Sequence, residues 1–218
     1  MTEPLDAAQV RVIGALIEKE ITTPDNYPLT LNSLVSACNQ TSNREPVMAL
    51  TDDDVMHAVE ALRKRSLVRA VQRSDSRTTR YRHLMAEGMG LDAAEQAVMC
   101  VLMLRGPQTP GELRGRGERM YRFEELSDVQ GTLQKLMQRT PPLVKMLPRQ
   151  PGTKEARYAH LLSGDFEGSF EVPQSTSPAA EAGADSERLE RLEAEVAELR
   201  REFSDLKQQM ESFKRQFE

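Results

Sequence analysis

Eight basic side chains fall within twenty positions: Arg63, Lys64, Arg65, Arg69, Arg73, Arg77, Arg80 and Arg82, with Asp75 the one acid in the final turn-rich part. Guanidinium and ammonium groups at this density can grip phosphate oxygens, the sequence-independent part of nucleic-acid binding. Even spacing puts Arg69 and Arg73 on one side of an extended strand. It also puts Arg80 and Arg82 on one face, opposite Tyr81 and His83. A solvated patch, with Lys and Arg complementing a helix C-terminus, accounts for the same residues equally well. Both readings stay open on the sequence.

Other polar stretches are weaker. Arg114, Arg116, Arg119 and Arg122, interleaved with Gly115 and Gly117, read as a flexible basic loop that contacts phosphate or pairs with Glu112, Glu118, Glu124 and Glu125. Asn39 to Pro46, with Arg44, reads as a ligand loop or simply as a turn. No catalytic constellation accompanies them. The histidines are His57, His83 and His160, and there is no H-E-x-x-H or C-x-x-C spacing to hold a metal. Gly88-Met89-Gly90-Leu91-Asp92-Ala93 fits G-x-G-x-x-A in its letters, but no βαβ unit surrounds it. The expectation is a non-enzymatic chain with no metal and no cofactor.

The elements that must position the basic cluster occur twice. Leu5-Asp6-Ala7-Ala8 opens an apolar-periodic run, and Leu91-Asp92-Ala93-Ala94 opens another. Val12, Ile13, Leu16 and Ile17 fall on Val98, Met99, Leu102 and Met103, at a spacing that lines one helix face. In the first unit this helix runs from Leu5 to Glu20 with Asp6 in its first turn. A Pro- and Asn-rich loop follows, then a short helix from Leu29 to Cys38. A third helix starts at the Thr51-x-x-Asp54 capping arrangement and turns Val55, Ala58, Val59 and Leu62 inward. Leu67 to Arg73 and Thr78 to Leu84, around a Ser/Asp turn, read as a β-hairpin. Three helices and a hairpin is the winged-helix order, with the third helix in the recognition position.

The second unit repeats it. A helix from Leu91 to Leu104 stops at Gly106-Pro107. Thr109–Leu113 matches Thr30–Leu34, and Val129, Thr132, Leu133 and Leu136 repeat the inward spacing. Leu143-Val144 matches Leu67-Val68, and Tyr158-Ala159-His160-Leu161 matches Tyr81-Arg82-His83-Leu84. Self-similarity at four elements predicts a mainly α (α+β) chain of two tandem winged-helix domains, 1–88 and 89–163.

Beyond them, 164–185 is Gly, Ser, Pro, Ala and acid, expected as a flexible linker. From 186 to 218 the apolar residues Leu189, Leu192, Val196, Leu199, Phe203, Leu206, Met210, Phe213 and Phe217 alternate spacings of three and four. That pattern predicts a coiled-coil helix. With Leu189 at position a, the g and following e residues pair Arg188–Glu193, Glu195–Arg200, Glu202–Lys207 and Gln209–Lys214 in a parallel arrangement. The expectation is therefore a parallel self-associated form, most simply a homodimer. The remaining alternative is a single amphipathic helix folded back on the body.

Composition bounds the rest. Of 218 residues 39% are apolar and 5% aromatic, with no Trp and 11 Met, so the cores are small, aliphatic and adaptable. Net charge is −5, spread as −1 over residues 1–90, +3 over 91–163 and −7 over 164–218. A near-neutral body gives no general pull toward nucleic acid, so any pull is local. Cys38 and Cys100 sit in apolar helical contexts, as in a reducing cytoplasm. The first residues lack a basic n-region, and no apolar run approaches bilayer length. A cytoplasmic protein off the membrane is expected.

Several stretches resemble the YceH-like family of bacterial proteins of unknown function. They are Ile13-Gly14-Ala15-Leu16-Ile17-Glu18-Lys19-Glu20, Pro24-Asp25-Asn26-Tyr27-Pro28-Leu29-Thr30, Cys38-Asn39-Gln40 with Arg44-Glu45-Pro46-Val47, Tyr81-Arg82-His83, and Gly106-Pro107-Gln108-Thr109-Pro110-Gly111-Glu112-Leu113. The resemblance implies tandem winged helices and supplies no reaction, ligand or binding residue. Two functional readings follow. The chain is a DNA-binding transcriptional regulator, or it is an interaction module whose winged helices bind protein. The wing cluster favours the first. Acidic residues at the head of the third helix, Asp52, Asp53 and Asp54, favour the second.

Overall fold

In a computed structural model, residues 3–72, 78–149 and 155–164 are described below. Arg73, Arg77, the 164–185 linker beyond Gly164 and the heptad residues from Leu189 to Phe217 lie outside the described residues.

The fold is α+β, with seven helices and two small antiparallel sheets among the described residues. Helix α1 spans Ala7–Thr22. Asp6 is its N-cap rather than a first-turn residue: the Asp6 carboxylate accepts the Gln9 backbone N–H at 2.8 Å. Strand β1 is Leu29–Thr30, and α2 follows at Leu31–Cys38 with Thr30 as N-cap. The expected helix from Leu29 is thus split, because Thr30 turns its hydroxyl onto the Ser33 N–H and ends the strand there. Helix α3, Asp52–Lys64, begins with the expected capping box at Thr51 and Asp54. Its inward set, Val55, Ala58, Val59 and Leu62, is buried as the spacing predicts. Strands β2 (Val68–Val71) and β3 (Arg80–His83) pair antiparallel, and β1 joins the other edge of β3, giving the order β1-β3-β2.

A short helix α4, Met85–Met89, was not anticipated. It ends at Gly90, whose φ of +60° is the left-handed cap that glycine adopts without strain. The order then repeats with α5 (Ala93–Arg105), α6 (Pro110–Gly117), α7 (Leu126–Gln138), β4 (Val144–Met146) and β5 (Tyr158–His160). Leu29 pairs with Tyr81 in the first sheet, and an isolated bridge pairs Gln108 with Tyr158 beside the second. The matching register follows the sequence repeat of Thr30 on Thr109 and Tyr81 on Tyr158.

Spacing predicted one inward face on α1 and on α5, yet both are buried around their circumference: Val10 to Glu18 in one, Ala97 to Leu104 in the other. Each packs against its own repeat on one side and against the other repeat's first helix on the other, so a single hydrophobic cluster runs through both repeats. Equivalent positions meet at this contact. Gly14 and Cys100 are 86 residues apart, and the Cys100 thiol lies 3.4 Å from the Gly14 carbonyl. A Cβ on Gly14 would stand 2.8 Å from a Leu104 methyl, so the glycine is what lets the helices close. Contact between equivalents is the mark of a two-fold, isologous arrangement, built here within one chain. The Leu5 N–H donates to the Leu162 carbonyl at 2.7 Å and ties the start of the first repeat to the end of the second. Among the described residues, no helix is long and apolar enough to cross a membrane.

Candidate nucleic-acid interface

The first hairpin positions the basic cluster. Val68, Tyr81 and His83 are buried in the pleat, and the alternation puts Arg69, Arg80 and Arg82 on the opposite face, Arg69 exposed and the other two partly so. Arg69 and Arg82 are direct cross-strand partners. Like charges in that position destabilise a sheet unless something negative lies between or beside them. Glu87 supplies part of this, accepting from the Arg82 guanidinium at 2.6 Å. Arg63 pairs with Glu60 at 2.6 Å on the last turn of α3. These pairs are about half exposed, where an ion pair contributes roughly 0–1 kcal/mol, so phosphate can replace the carboxylate at little cost. Lys64 is exposed beside them. Arg65 and Arg80 are differently placed. Arg65 donates to the Glu3 carbonyl at 2.6 Å and Arg80 to the Pro28 carbonyl at 2.9 Å, so both hold neighbouring chain.

The head of α3 is acidic. Asp52 and Asp53 are exposed. Asp54 has a local duty: it accepts from the Thr51 hydroxyl at 2.7 Å and from the Thr51 N–H at 2.8 Å, and those hydrogen bonds hold its carboxyl below its ordinary value. Acids at the start of α3 and bases at its end also suit the helix dipole. An anionic partner would therefore meet the C-terminal end of α3 and the hairpin.

Two other stretches change character. Arg44, read as a ligand-loop residue or a turn, is buried and fixed. Its side chain has no exposure and holds both Glu18 carboxylate oxygens, at 2.6 and 3.2 Å, besides the carbonyls of Ala37 and Asn43. Burial pushes the Glu18 carboxyl up, but the hydrogen bond and charge of Arg44, with those of Lys19, together outweigh it and bring it below its ordinary value. Arg11, also buried, donates to the carbonyls of Cys38 and Pro46 at 2.9 and 2.6 Å. The Glu45 N–H reaches the Leu104 carbonyl at 2.8 Å, so the Asn39–Pro46 loop latches α1 to the end of α5. Neither Arg11 nor Glu18 was singled out from sequence. The available signal was two charges seven positions apart, on one helix face, inside an apolar run.

The stretch around Gly115 and Gly117 is helix α6, not a flexible loop. Arg114 donates to the carbonyls of Phe123 and Glu124. Arg116 holds Gln108, and Glu112 is bridged at 2.8 Å by Arg157.

His83, His160 and the two cysteines are packing groups, while His57 is exposed on α3. His83 has its Nε2 2.6 Å from Glu20, and its backbone N–H donates to the Tyr27 hydroxyl at 2.8 Å. Burial lowers the His83 pKa, with Glu20 opposing. Burial alone pulls His160 down to about 4. Burial raises both thiols, Cys38 to about 12, so they stay protonated. Among the described residues no three His, Cys, Asp or Glu side chains gather as a metal site requires.

One consequence concerns acid. The unfolded chain takes up a proton at His160 near its ordinary pKa of about 6.5, whereas the folded chain resists until about 4. Stability from this residue is complete above pH ~6.5 and is lost as pH falls toward the folded value. Thermal unfolding at pH 7 and pH 5 should therefore show a smaller drop in Tm for His160→Gln than for the parent. An equal drop would mean that His160 is open to water.

A family model described as "Protein of unknown function, DUF480" matches residues 5–153. The chain is 51% identical to a UPF0502 protein of Geobacter sulfurreducens over 219 residues, covering 98% of each chain. It is 51% identical to a UPF0502 protein of Koribacter versatilis over 204 residues, 91% of this chain and 92% of the relative. A UPF0502 protein of Geobacter metallireducens is 47% identical over the whole of both chains. The bacterial family of unknown function expected from the sequence is the one found.

Proposed function

The chain belongs to the DUF480 family, and we propose that it is a tandem winged-helix protein that holds duplex DNA through the hairpin of its first repeat. The winged-helix reading is supported by the order of three helices and a hairpin, occurring twice with the same strand register. The observation that carries DNA binding is the outer hairpin face bearing Arg69 opposite Arg82, together with Arg63 and Lys64 exposed at the end of α3. These groups supply phosphate contacts without base readout, since the acidic head of α3 is turned away from that role. The heptads from Leu189 to Phe213 are proposed to join two copies through a parallel coiled coil, doubling the contact surface.

A duplex-DNA titration of the full-length protein tests this. With about four phosphate contacts per copy and two copies joined, affinity should fall by about four orders of magnitude between roughly 50 and 200 mM salt, against about two for a single copy. A form ending at Gly164 should bind more weakly. A second reading rests on Asp52 and Asp53, exposed at the position where a recognition helix usually meets bases. They favour a protein–protein interaction module. Absence of DNA binding at low salt, with self-association intact, would make that the better account.

A further inference from the structure

A cleft of about 190 Å³ opens where the two repeats meet. Lys19 comes to it from α1, Arg105 from the end of α5, Arg116 from α6, and Arg119 from the turn after α6. The one acid in its lining is Glu18, which is already held by Arg44 at 2.6 Å and by Lys19 at 3.2 Å. The excess of cations is therefore not neutralised by the cleft's own carboxylate. Arg105 shows the strain: burial, and then the charge of Arg116, lower its pKa, and the opposing charges of Glu45 and Glu18 do not offset them. Its guanidinium donates to the Asn43 side chain, a neutral acceptor that supplies no compensating charge. Arg116 likewise takes the neutral Gln108 oxygen, with Glu112 only at 3.8 Å. Arg119 is exposed at the rim.

We propose that this cleft between the repeats binds a small dianion of the phosphate class, either inorganic phosphate or a compact phosphate monoester. Three features select it. Arginine forks match the oxygens of phosphate in a bidentate way, and two or three of them can share one tetrahedral group. The volume lies below the roughly 300–1,000 Å³ of sites for drug-sized ligands, which limits the bound group to little more than the anion. The donors also come from both repeats, so a bound dianion bridges α1, α5 and α6 and adds to the contact that the Asn39–Pro46 loop already makes. The proposal does not depend on DNA binding, since none of these residues lies on the first hairpin.

The test is thermal unfolding of the full-length protein in potassium phosphate, against potassium chloride at the same ionic strength, with affinity for phosphate from calorimetry. A ligand that binds only the folded state raises Tm saturably. The expected result is a saturable rise specific to phosphate, with affinity weakened about tenfold or more in Arg116→Gln/Arg119→Gln, the loss expected when charge-assisted hydrogen bonds are removed. Circular dichroism below the unfolding transition reports whether the double variant keeps its helices. Should it lose them, Arg119→Gln alone, at an exposed position, is expected to weaken phosphate by about threefold. A rise no larger than that in chloride, or the same saturable rise in the folded variants, would overturn the assignment. Binding of ribose 5-phosphate with higher affinity than inorganic phosphate would identify the monoester as the source of the anion.

Discussion

Glu18→Ala is expected to destabilise the protein by about 3–5 kcal/mol, the usual cost of stranding a buried charge. Arg44 has no exposed side-chain surface, and among the described residues Glu18 is the one carboxylate that its guanidinium holds. Removing that carboxylate leaves a guanidinium surrounded by carbonyls and the Gln40 amide, which accept its protons but do not balance its charge. The same change loosens the Asn39–Pro46 latch, so both repeats feel it. Urea unfolding measures the loss. Pairing the change with Arg44→Met should return a large part of it, because removing both charges costs less than removing one. A loss under about 1 kcal/mol for Glu18→Ala would place the pair in contact with water.

Leu16→Ala and Leu102→Ala should each cost about 2–5 kcal/mol, the range for large-to-small changes in a closed core. The two leucines are equivalent in the repeats, both fully buried, on the two helices that face each other. Because one hydrophobic cluster spans both repeats, each change is expected to lower the same single transition. Two transitions, with Leu16→Ala moving one and Leu102→Ala the other, would show that the repeats melt independently and that the α1–α5 contact is weak.

Much of the fold was legible because its signals are local. The Thr51–Asp54 box, the inward set of α3 and its counterpart Val129, Thr132, Leu133 and Leu136, and the alternation of Arg80 and Arg82 against Tyr81 and His83 all depend on neighbours within a few residues. The burial of α1 and α5 on every side was not legible, because periodicity reports one face and says nothing of a second partner. Gly14 looked like an ordinary helix residue until Leu104 and Cys100 were set against it. The burial of Arg44 was not legible for a related reason: its acid, Glu18, lies 26 positions away, so the Asn39–Pro46 stretch reads only as a turn or a ligand loop. The basic hairpin was legible as a patch but not in its pairing, since the Arg69–Arg82 opposition follows from register. The cleft cations come from three helices joined only by tertiary packing, so no window of sequence contains them.

The central claim is that the first hairpin grips phosphates, and the most direct measurement is the salt dependence of DNA binding for the parent and for Arg69→Gln/Arg82→Gln. Each phosphate contact adds about 0.9 to the slope of log affinity against log salt. Losing two should make the slope shallower by about 1.8 per copy while affinity at low salt falls. Helical content should stay unchanged, since both side chains lie on the outer face of the sheet. A slope identical to the parent's would contradict the account and move the contact surface elsewhere on the molecule.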